Sequence, residues 1–190
     1  RLWRCGFLAQ LLADRGHKVT WWASTFDHFN KRYFEEAEVV REINPNLRLQ
    51  FLGGRAYTKN VSISRFLNHR ELGQRFTAIA NKAGPPDVIA ISYPPIELAR
   101  AAVLYGQQRA IPVFTDIRDL WPDEIVRRAP RWARAAANLL TWPLRQQAVE
   151  ALKKSTGLIA ISDAYLRWGL EMAGRTIRGT DHVIPLGYTG

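Results

Sequence analysis

The sequence predicts an α/β protein built on a doubly wound parallel sheet, the arrangement called Rossmann-like. Three observations predict this class. Short β-branched and aromatic runs alternate with helical segments through the second half of the chain. These runs are apolar throughout, as is typical of parallel strands buried on both faces. Polar and charged residues follow several of the runs directly, at the position where open parallel sheets bind ligands.

The first half of the chain is predicted to open with a helix from Leu2 to Asp14, because its leucines recur at helical spacing and Gly16 follows as a stop. Strands are expected at residues 19–23 and 47–52, and a helix at 61–83, whereas residues 24–46 give no clear pattern. A helix that leads directly into a buried strand is unusual in a parallel sheet, so we expect a first strand before it.

The second half alternates more regularly. Strands are predicted at residues 87–92, 111–116, 158–161 and 182–185, and helices at 94–108, 130–154 and 162–174. We expect the long helix to bend at Pro143 and Ser162 to cap the last helix. Residues 1–190 are therefore predicted to form one domain, and we expect a second domain to follow it.

The composition indicates which classes of partner and which cellular compartment to expect. The formal net charge of +10 favours an anionic membrane surface, a phosphorylated substrate or nucleic acid. Because Cys5 is the single cysteine, an intrachain disulfide is excluded and a reducing, cytoplasmic compartment is expected. No apolar run reaches the roughly 18 residues of a membrane span. Seven tryptophans are many for one core, so we expect some to line a cleft or a membrane interface.

The densest cluster of reactive side chains follows the predicted strand at 111–116. It contains Asp116, Arg118, Asp119, Trp121 and Asp123 within eight residues. A guanidinium there is suited to a phosphate, and Asp119 is suited to orient a sugar hydroxyl or to act as a base. The alternative is an internal Arg–Asp pair that only pins the loop.

Three further positions follow predicted strands. Asp27 and His28 form an acid–imidazole pair suited to proton transfer, with a histidine satisfied by its own loop as the alternative. Tyr93 ends the strand at 87–92. Ser162 is explained by capping, and the alternative is that its helix N-terminus faces an anion.

The segment 127–134 (RRAPRWAR) is basic and carries Trp132, and Leu139, Leu140, Trp142 and Leu144 follow it. A basic stretch with an embedded indole favours contact with a membrane surface. The alternative is a solvated face on a core helix, since the alanine-rich centre also suits packing against the sheet. Metal-ligand clusters, G-x-G-x-x-G and the P-loop are not found in the sequence.

Four segments, in order, resemble the N-terminal half of family 4 glycosyltransferases. They are residues 15–20 (RGHKVT), 111–122 (IPVF leading to RDLWP), 157–162 (GLIAIS) and 182–187 (HVIPLG). Residues 22–31 resemble members that act in bacterial surface-polysaccharide assembly. Many relatives have His-Asp at the positions of Arg118 and Asp119, and Asn at that of Leu186, so a histidine role in positioning the donor sugar does not carry over.

The resemblance implies a GT-B enzyme whose N-terminal domain binds the acceptor and whose C-terminal domain binds a nucleotide-sugar, often a UDP-sugar. It implies retention of configuration, no metal, no cofactor beyond the donor substrate, and lipid-linked or glycan acceptors at the inner face of the membrane. This domain alone is expected to be inactive. We expect Asp119 and Arg118 to be catalytic and Ser162 to lie near the donor. The acceptor-binding residues are predicted to be Asp27, His28, Asp116, Trp121 and Tyr93.

Other function classes stay open at this point. A nucleotide-sugar 2-epimerase has the same two-domain architecture, and product formation without an added acceptor would distinguish it. A basic nucleic-acid-binding module is not expected, because the basic residues are scattered over many elements and match no recognised motif. A membrane-docking domain without catalytic activity is the third alternative.

Overall fold

The computed structural model describes residues 4–35 and 38–185. It divides the chain into two compact units, one ending at Arg75 and the other beginning at Phe76. We describe each unit by itself. That residues 1–190 form one domain stays a prediction.

The first unit contains helix α1 (Arg4–Asp14) and a sheet of three strands in the order β1-β5-β4. Strand β1 (Val19–Ser24) runs parallel to β5 (Leu47–Leu52), whereas β4 (Val40–Asn44) runs antiparallel to β5. The sheet of this unit is therefore mixed, and its antiparallel strand lies in the segment for which the sequence gave no clear pattern. The reason is the two-residue connection between β4 and β5, which allows only a hairpin.

The segment that gave no clear pattern in the sequence contains β4 and a small hairpin. The hairpin pairs β2 (Phe26–Asp27) with β3 (Arg32–Tyr33) in antiparallel fashion. Helix α2 (Ile63–Ala80) follows, within the predicted range 61–83. On one face of the sheet, Ala9 and Ala13 of α1 pack with Leu47 of β5, and the short alanine side chains let the helix approach the strands.

The second unit contains the regular alternation that the sequence predicts. Its sheet has four strands in the order β6-β7-β8-β9, and every neighbouring pair is parallel. This confirms the parallel α/β class. The strands are β6 (Ile89–Tyr93), β7 (Val113–Ile117), β8 (Gly157–Ala160) and β9 (His182–Val183). The helices are α3 (Ile96–Gln108), α4 (Asp123–Arg128), α5 (Arg134–Lys154) and α6 (Asp163–Ala173).

Helix α5 packs between α3 and α6 through small side chains. Ala99 and Ala102 of α3 and Ala148 and Ala151 of α5 are fully buried, so the helix axes approach closely. Two buried hydroxyls close to α5 are hydrogen-bonded: those of Thr115 and Ser155 lie 2.7 Å apart, and Ser155 donates to the carbonyl of Ala151 at 2.8 Å.

Two details differ from the sequence predictions. Helix α4 forms at residues that were expected to lie in a loop or before the long helix. The predicted helix at 130–154 begins as a short 3-10 turn (Arg131–Ala133) before α5. Helix α5 continues through Pro143, within the predicted range, and the bend expected there stays a prediction. Among the helices of residues 4–35 and 38–185, none is long and apolar enough to cross a bilayer.

Gly106 sets the distance between α3 and β7. A Cβ there would lie 2.3 Å from Cγ2 of Val113 and 2.9 Å from the carbonyl oxygen of Ile111. We expect Gly106→Ala to lower the free energy of unfolding by about 1–3 kcal/mol, because a backbone carbonyl cannot yield as a side chain does. Gly84→Ala is the control, since no described heavy atom lies within 4 Å of its added Cβ. Equal urea midpoints for the two variants would contradict this account.

Candidate functional site

The carboxyl ends of the four parallel strands form one edge of the second unit. The hydrogen-bonding register aligns Tyr93 of β6 with Ile117 of β7, Ala160 of β8 and Val183 of β9. The residues that follow these strands therefore meet at this edge. As predicted, residues 118–122, which we call the strand-exit loop, leave the sheet here, with Tyr93 and Ser162 on either side.

Tyr93, the last residue of β6, holds the strand-exit loop through two hydrogen bonds. Its side chain is fully buried, its hydroxyl donates to the carbonyl of Trp121 at 2.5 Å, and its own carbonyl accepts the N–H of Arg118 at 2.9 Å. Burial raises the pKa of Tyr93 well above its ordinary value, and Asp123, Glu97 and Asp119 act in the same direction. The phenol is therefore a neutral hydrogen-bond donor at physiological pH.

Trp121 is also buried, with 5% of its surface exposed. The burial gives Tyr93 and Trp121 a structural role in holding the loop. Their contact with an acceptor stays a prediction.

Arg118 forms an ion pair with Asp116. Its Nε and Nη2 both donate to Oδ2 of Asp116, at 2.9 and 2.8 Å. This is the internal pair that the sequence left open as an alternative. A phosphate that recruits Arg118 competes with Asp116 for these two donors. The arrangement thus places a guanidinium at the strand exit in a fixed orientation.

Asp119 lies at the centre of the strand-exit loop and is half-buried. Its Oδ1 accepts the N–H of Leu120 at 2.9 Å, which fixes the side-chain orientation. A carboxylate held this way on a loop that is itself anchored by Tyr93 is positioned to accept a proton or a hydroxyl hydrogen bond.

Asp123 joins three helices next to this loop. It lies at the start of α4, its Oδ2 accepts the indole N–H of Trp168 in α6 at 3.0 Å, and it pairs with Arg145 of α5. The ring of Trp168 lies 6.1 Å from that of Tyr93. Trp168 and Arg145 were missed in the sequence because their partner is 22 to 45 residues away and no local pattern marks them.

Ser162 occupies the N-cap position of α6, as predicted, with extended backbone. Within the described residues its hydroxyl makes no capping hydrogen bond, so capping by the side chain is a wrong expectation. Its carbonyl accepts the N–H of Leu166 at 3.0 Å. A role for Ser162 toward the donor stays a prediction.

Asp27 and His28 belong to the first unit: Asp27 is the last residue of β2, and His28 begins the turn that leads to β3. The carboxylate of Asp27 is buried and accepts the N–H groups of Phe29 and Asn30, at 2.8 and 3.1 Å. It also accepts the side-chain amide of Asn30 at 2.5 Å. Burial opposes ionisation of Asp27, but these hydrogen bonds lower its pKa below the ordinary value. Asp27 therefore builds the turn that presents its neighbours.

His28 makes its hydrogen bonds with other partners. Its Nδ1 lies 2.7 Å from the hydroxyl of Tyr57 and 3.4 Å from Nζ of Lys31. An ammonium can only donate, so Nδ1 is the acceptor and Nε2 carries the proton. Burial, followed by the charges of Arg65 and Lys31, lowers the pKa of His28 to about 4. This environment favours a hydrogen-bond donor over the proton-transfer role considered from the sequence.

We also searched the described residues for metal-ligand groups and for cavities. Among the described residues, no three His, Cys, Asp or Glu side chains are grouped as a metal ion would require. An open cavity of about 580 Å³ lies at the opposite edge of the second unit's sheet, between the carboxyl ends of α3 and α5. It is remote from the strand exits where parallel sheets bind ligands.

Two solved structures of sucrose-phosphate synthase from Thermosynechococcus elongatus are similar to this chain. One superposes with a TM-score of 0.64 and 17% identity, over 96% of this chain and 41% of that one. A shorter one gives a TM-score of 0.59 and 14% identity, over 95% of this chain and 82% of that one. No family model and no curated protein matches the sequence.

Sucrose-phosphate synthase is a GT-B glycosyltransferase, and identities this low establish the fold alone. The chain therefore has a Rossmann-like α/β fold of the kind that forms half of a GT-B glycosyltransferase. It spans 41% of the longer structure.

Two histidines of the first unit, His28 and His69, have lowered pKa values, and we therefore predict that acid destabilises the fold. Burial and then Arg65 lower the pKa of His69 to about 3, and His28 is lowered to about 4, from an ordinary 6.5. As the pH falls below 6.5, the unfolded chain binds protons that the folded chain does not, so stability is lost progressively toward pH 4. We expect the urea midpoint to fall between about pH 7 and pH 4.5.

His69→Gln should weaken the dependence of the urea midpoint on pH, because glutamine does not titrate and the variant lacks the buried imidazole that resists protonation in the folded chain. His182→Gln, at an exposed position in β9, is the matched control. The measurement is a series of urea unfolding curves at several pH values. An unchanged slope in His69→Gln would contradict the assignment.

Proposed function

We propose that this chain is the acceptor-side half of a GT-B glycosyltransferase that transfers a sugar from a nucleotide-sugar, of the UDP-sugar class, with retention of configuration. The acceptor is a hydroxyl of a lipid-linked or glycan molecule in cell-surface polysaccharide synthesis. A C-terminal domain of the same protein binds the donor, and this chain alone is inactive. The observation that carries the proposal is the fold similarity to sucrose-phosphate synthase over almost the whole chain.

The strand-exit loop supplies the chemistry in this proposal. Asp119 accepts the proton of the acceptor hydroxyl or orients it, and Arg118 stabilises negative charge that develops on the donor phosphate. Tyr93 is a positioning residue, because its hydrogen bond to Trp121 holds the loop. Fixed side chains of this kind favour transfer because they remove the cost of ordering them during the reaction.

Asp119→Asn tests this role. The amide retains an oxygen that accepts the N–H of Leu120, so the loop is preserved while the charge and the basicity are lost. In the protein expressed from its complete gene, kcat/KM for sugar transfer should fall by more than about tenfold. Asp87→Asn, before β6 at the opposite edge of the sheet, is the control and should stay within about twofold. A normal rate in Asp119→Asn would remove Asp119 from the site.

We further propose that the start of α5 and the turn before it contact an anionic membrane surface, which would make this a cytoplasmic protein bound peripherally at the inner face. Trp132, Leu139 and Leu140 are 88%, 77% and 78% exposed. Arg131 and Arg134 are exposed beside them. The alanine-rich centre, which in the alternative interpretation packs against the sheet, is largely exposed. Exposed apolar side chains rimmed by arginines complement acyl chains below anionic headgroups.

Flotation with vesicles that contain phosphatidylglycerol tests the membrane contact. The double variant Trp132→Ser, Leu140→Ser should reduce the bound fraction by more than about fivefold, because two large apolar side chains no longer insert. Ile177→Ser removes a similarly exposed apolar side chain, 64% exposed, outside this surface and should not. Equal flotation of all three proteins would contradict the proposal.

A further inference from the structure

A cluster of mostly basic side chains lies at the turn between β2 and β3 and at the start of α2. It takes no part in the role proposed for the strand-exit loop. The cluster lies within the first unit and consists of Lys31, Arg65, His28, His69 and Tyr57. Lys31 Nζ lies 4.7 Å from the centre of the Tyr57 ring, and the guanidinium carbon of Arg65 lies 5.9 Å from it. We call this group the Tyr57 cluster.

Asn60 holds the two permanent cations of the cluster side by side. Its side-chain oxygen accepts Nζ of Lys31 at 2.7 Å, and its backbone carbonyl accepts Nη1 of Arg65 at 2.5 Å. Like charges brought this close repel each other, and the pKa of Lys31 is lowered by burial and by Arg65. The fold therefore maintains an arrangement that an anion would stabilise.

Local structure fixes each cation in place. Lys31 ends the β2–β3 turn in the left-handed region, with φ of 54°, and its N–H donates to the carbonyl of Asp27 at 2.9 Å. Arg65 lies in the first turn of α2, where its N–H donates to the hydroxyl of Ser62 at 3.2 Å. The N-terminus of this 18-residue helix adds partial positive charge beside the cluster.

His28 adds a directed donor to the two cations. Because Nδ1 accepts from Tyr57, the proton of the neutral ring is on Nε2 and is available for a ligand oxygen. The charges that act on His28 are those of Arg65 and Lys31, which lower its pKa, and that of Asp27, which raises it. The pKa of His69 is lowered by burial, and then by Arg65 and His28. The balance around the ring is positive.

Two exposed apolar side chains lie next to residues of the cluster. Phe29 is 66% exposed beside His28, with 5.2 Å between the ring centres, and Ile63 is 79% exposed two residues before Arg65. An anion flanked by exposed apolar side chains suits a phosphate that carries a hydrocarbon chain. The same cations also suit a soluble phosphate.

We propose that the Tyr57 cluster is a binding site for a phosphate or pyrophosphate group, held by Lys31 and Arg65 with a hydrogen bond from Nε2 of His28. Assignment of that phosphate to the acceptor of sugar transfer rests on the proposed function. The anion site itself rests only on the geometry of the first unit.

Titration calorimetry of the 190-residue chain with inorganic pyrophosphate, at low ionic strength, tests the site. Lys31→Met retains the length of the side chain and removes its charge, and we expect affinity at least about tenfold weaker, because a charge-assisted hydrogen bond is lost. Lys18→Met is the matched control: it removes one exposed charge of the same unit, whose Nζ donates to the carbonyl of Pro45. It should bind within about twofold of the unaltered chain.

A second measurement needs no variant. Pyrophosphate should raise the pKa of His28, followed by NMR of its ring, because a bound anion stabilises the imidazolium. The proposal is overturned if millimolar pyrophosphate neither binds nor moves this pKa, or if Lys31→Met and Lys18→Met weaken binding equally. The latter result would show attraction to net charge alone.

Octyl phosphate, compared with inorganic phosphate below the micelle concentration, identifies the source of the anion. Tighter binding of octyl phosphate by tenfold or more indicates a lipid-linked phosphate, and equal binding indicates a soluble one. Either result supports the site. Since no nucleotide-sugar is present in these experiments, a failure of sugar transfer leaves their outcome unchanged, and the two proposals fail independently.

Discussion

The hydrogen bond from the hydroxyl of Tyr93 to the carbonyl of Trp121 is the contact on which the candidate site of the second unit depends. It joins the end of one parallel strand to the loop that leaves its neighbour. Because both residues are buried, we expect loss of the bond to be costly. This bond therefore holds in place the loop that carries Arg118 and Asp119. Asp123, directly after that loop, contacts Arg145 of α5 and Trp168 of α6.

The first unit uses the same principle on a smaller scale. Asp27 was considered for proton transfer, but its carboxylate accepts hydrogen bonds from Phe29 and Asn30 and so stabilises the turn that follows it. We assign the proposed anion site to His28 and Lys31, which this turn positions, and not to Asp27. In both units a buried polar group shapes a loop and an adjacent, less buried group faces outward. This division explains why the most reactive residue types in a segment need not be those that meet a ligand.

The sequence was sufficient to predict which polar residues follow the strands at one edge of the sheet, because parallel strands end at the same edge and polar residues mark each end. It predicted strands β1, β5, β6, β7 and β8 closely for the same reason, since buried parallel strands are apolar runs. It did not predict that β4 runs antiparallel, because that follows from a two-residue turn in a polar segment. Nor did it reveal the Tyr57 cluster or the contact between Asp123 and Trp168, which join residues far apart in the chain.

The most direct test of the proposed glycosyltransferase is sugar transfer by the protein expressed from its complete gene. A panel of labelled nucleotide-sugars would be offered with and without a lipid extract of the source cells. The account predicts that label from one donor enters the extract, and that no product forms when the extract is omitted. Conversion of a nucleotide-sugar into its epimer without any acceptor would contradict the account and assign the fold to an epimerase.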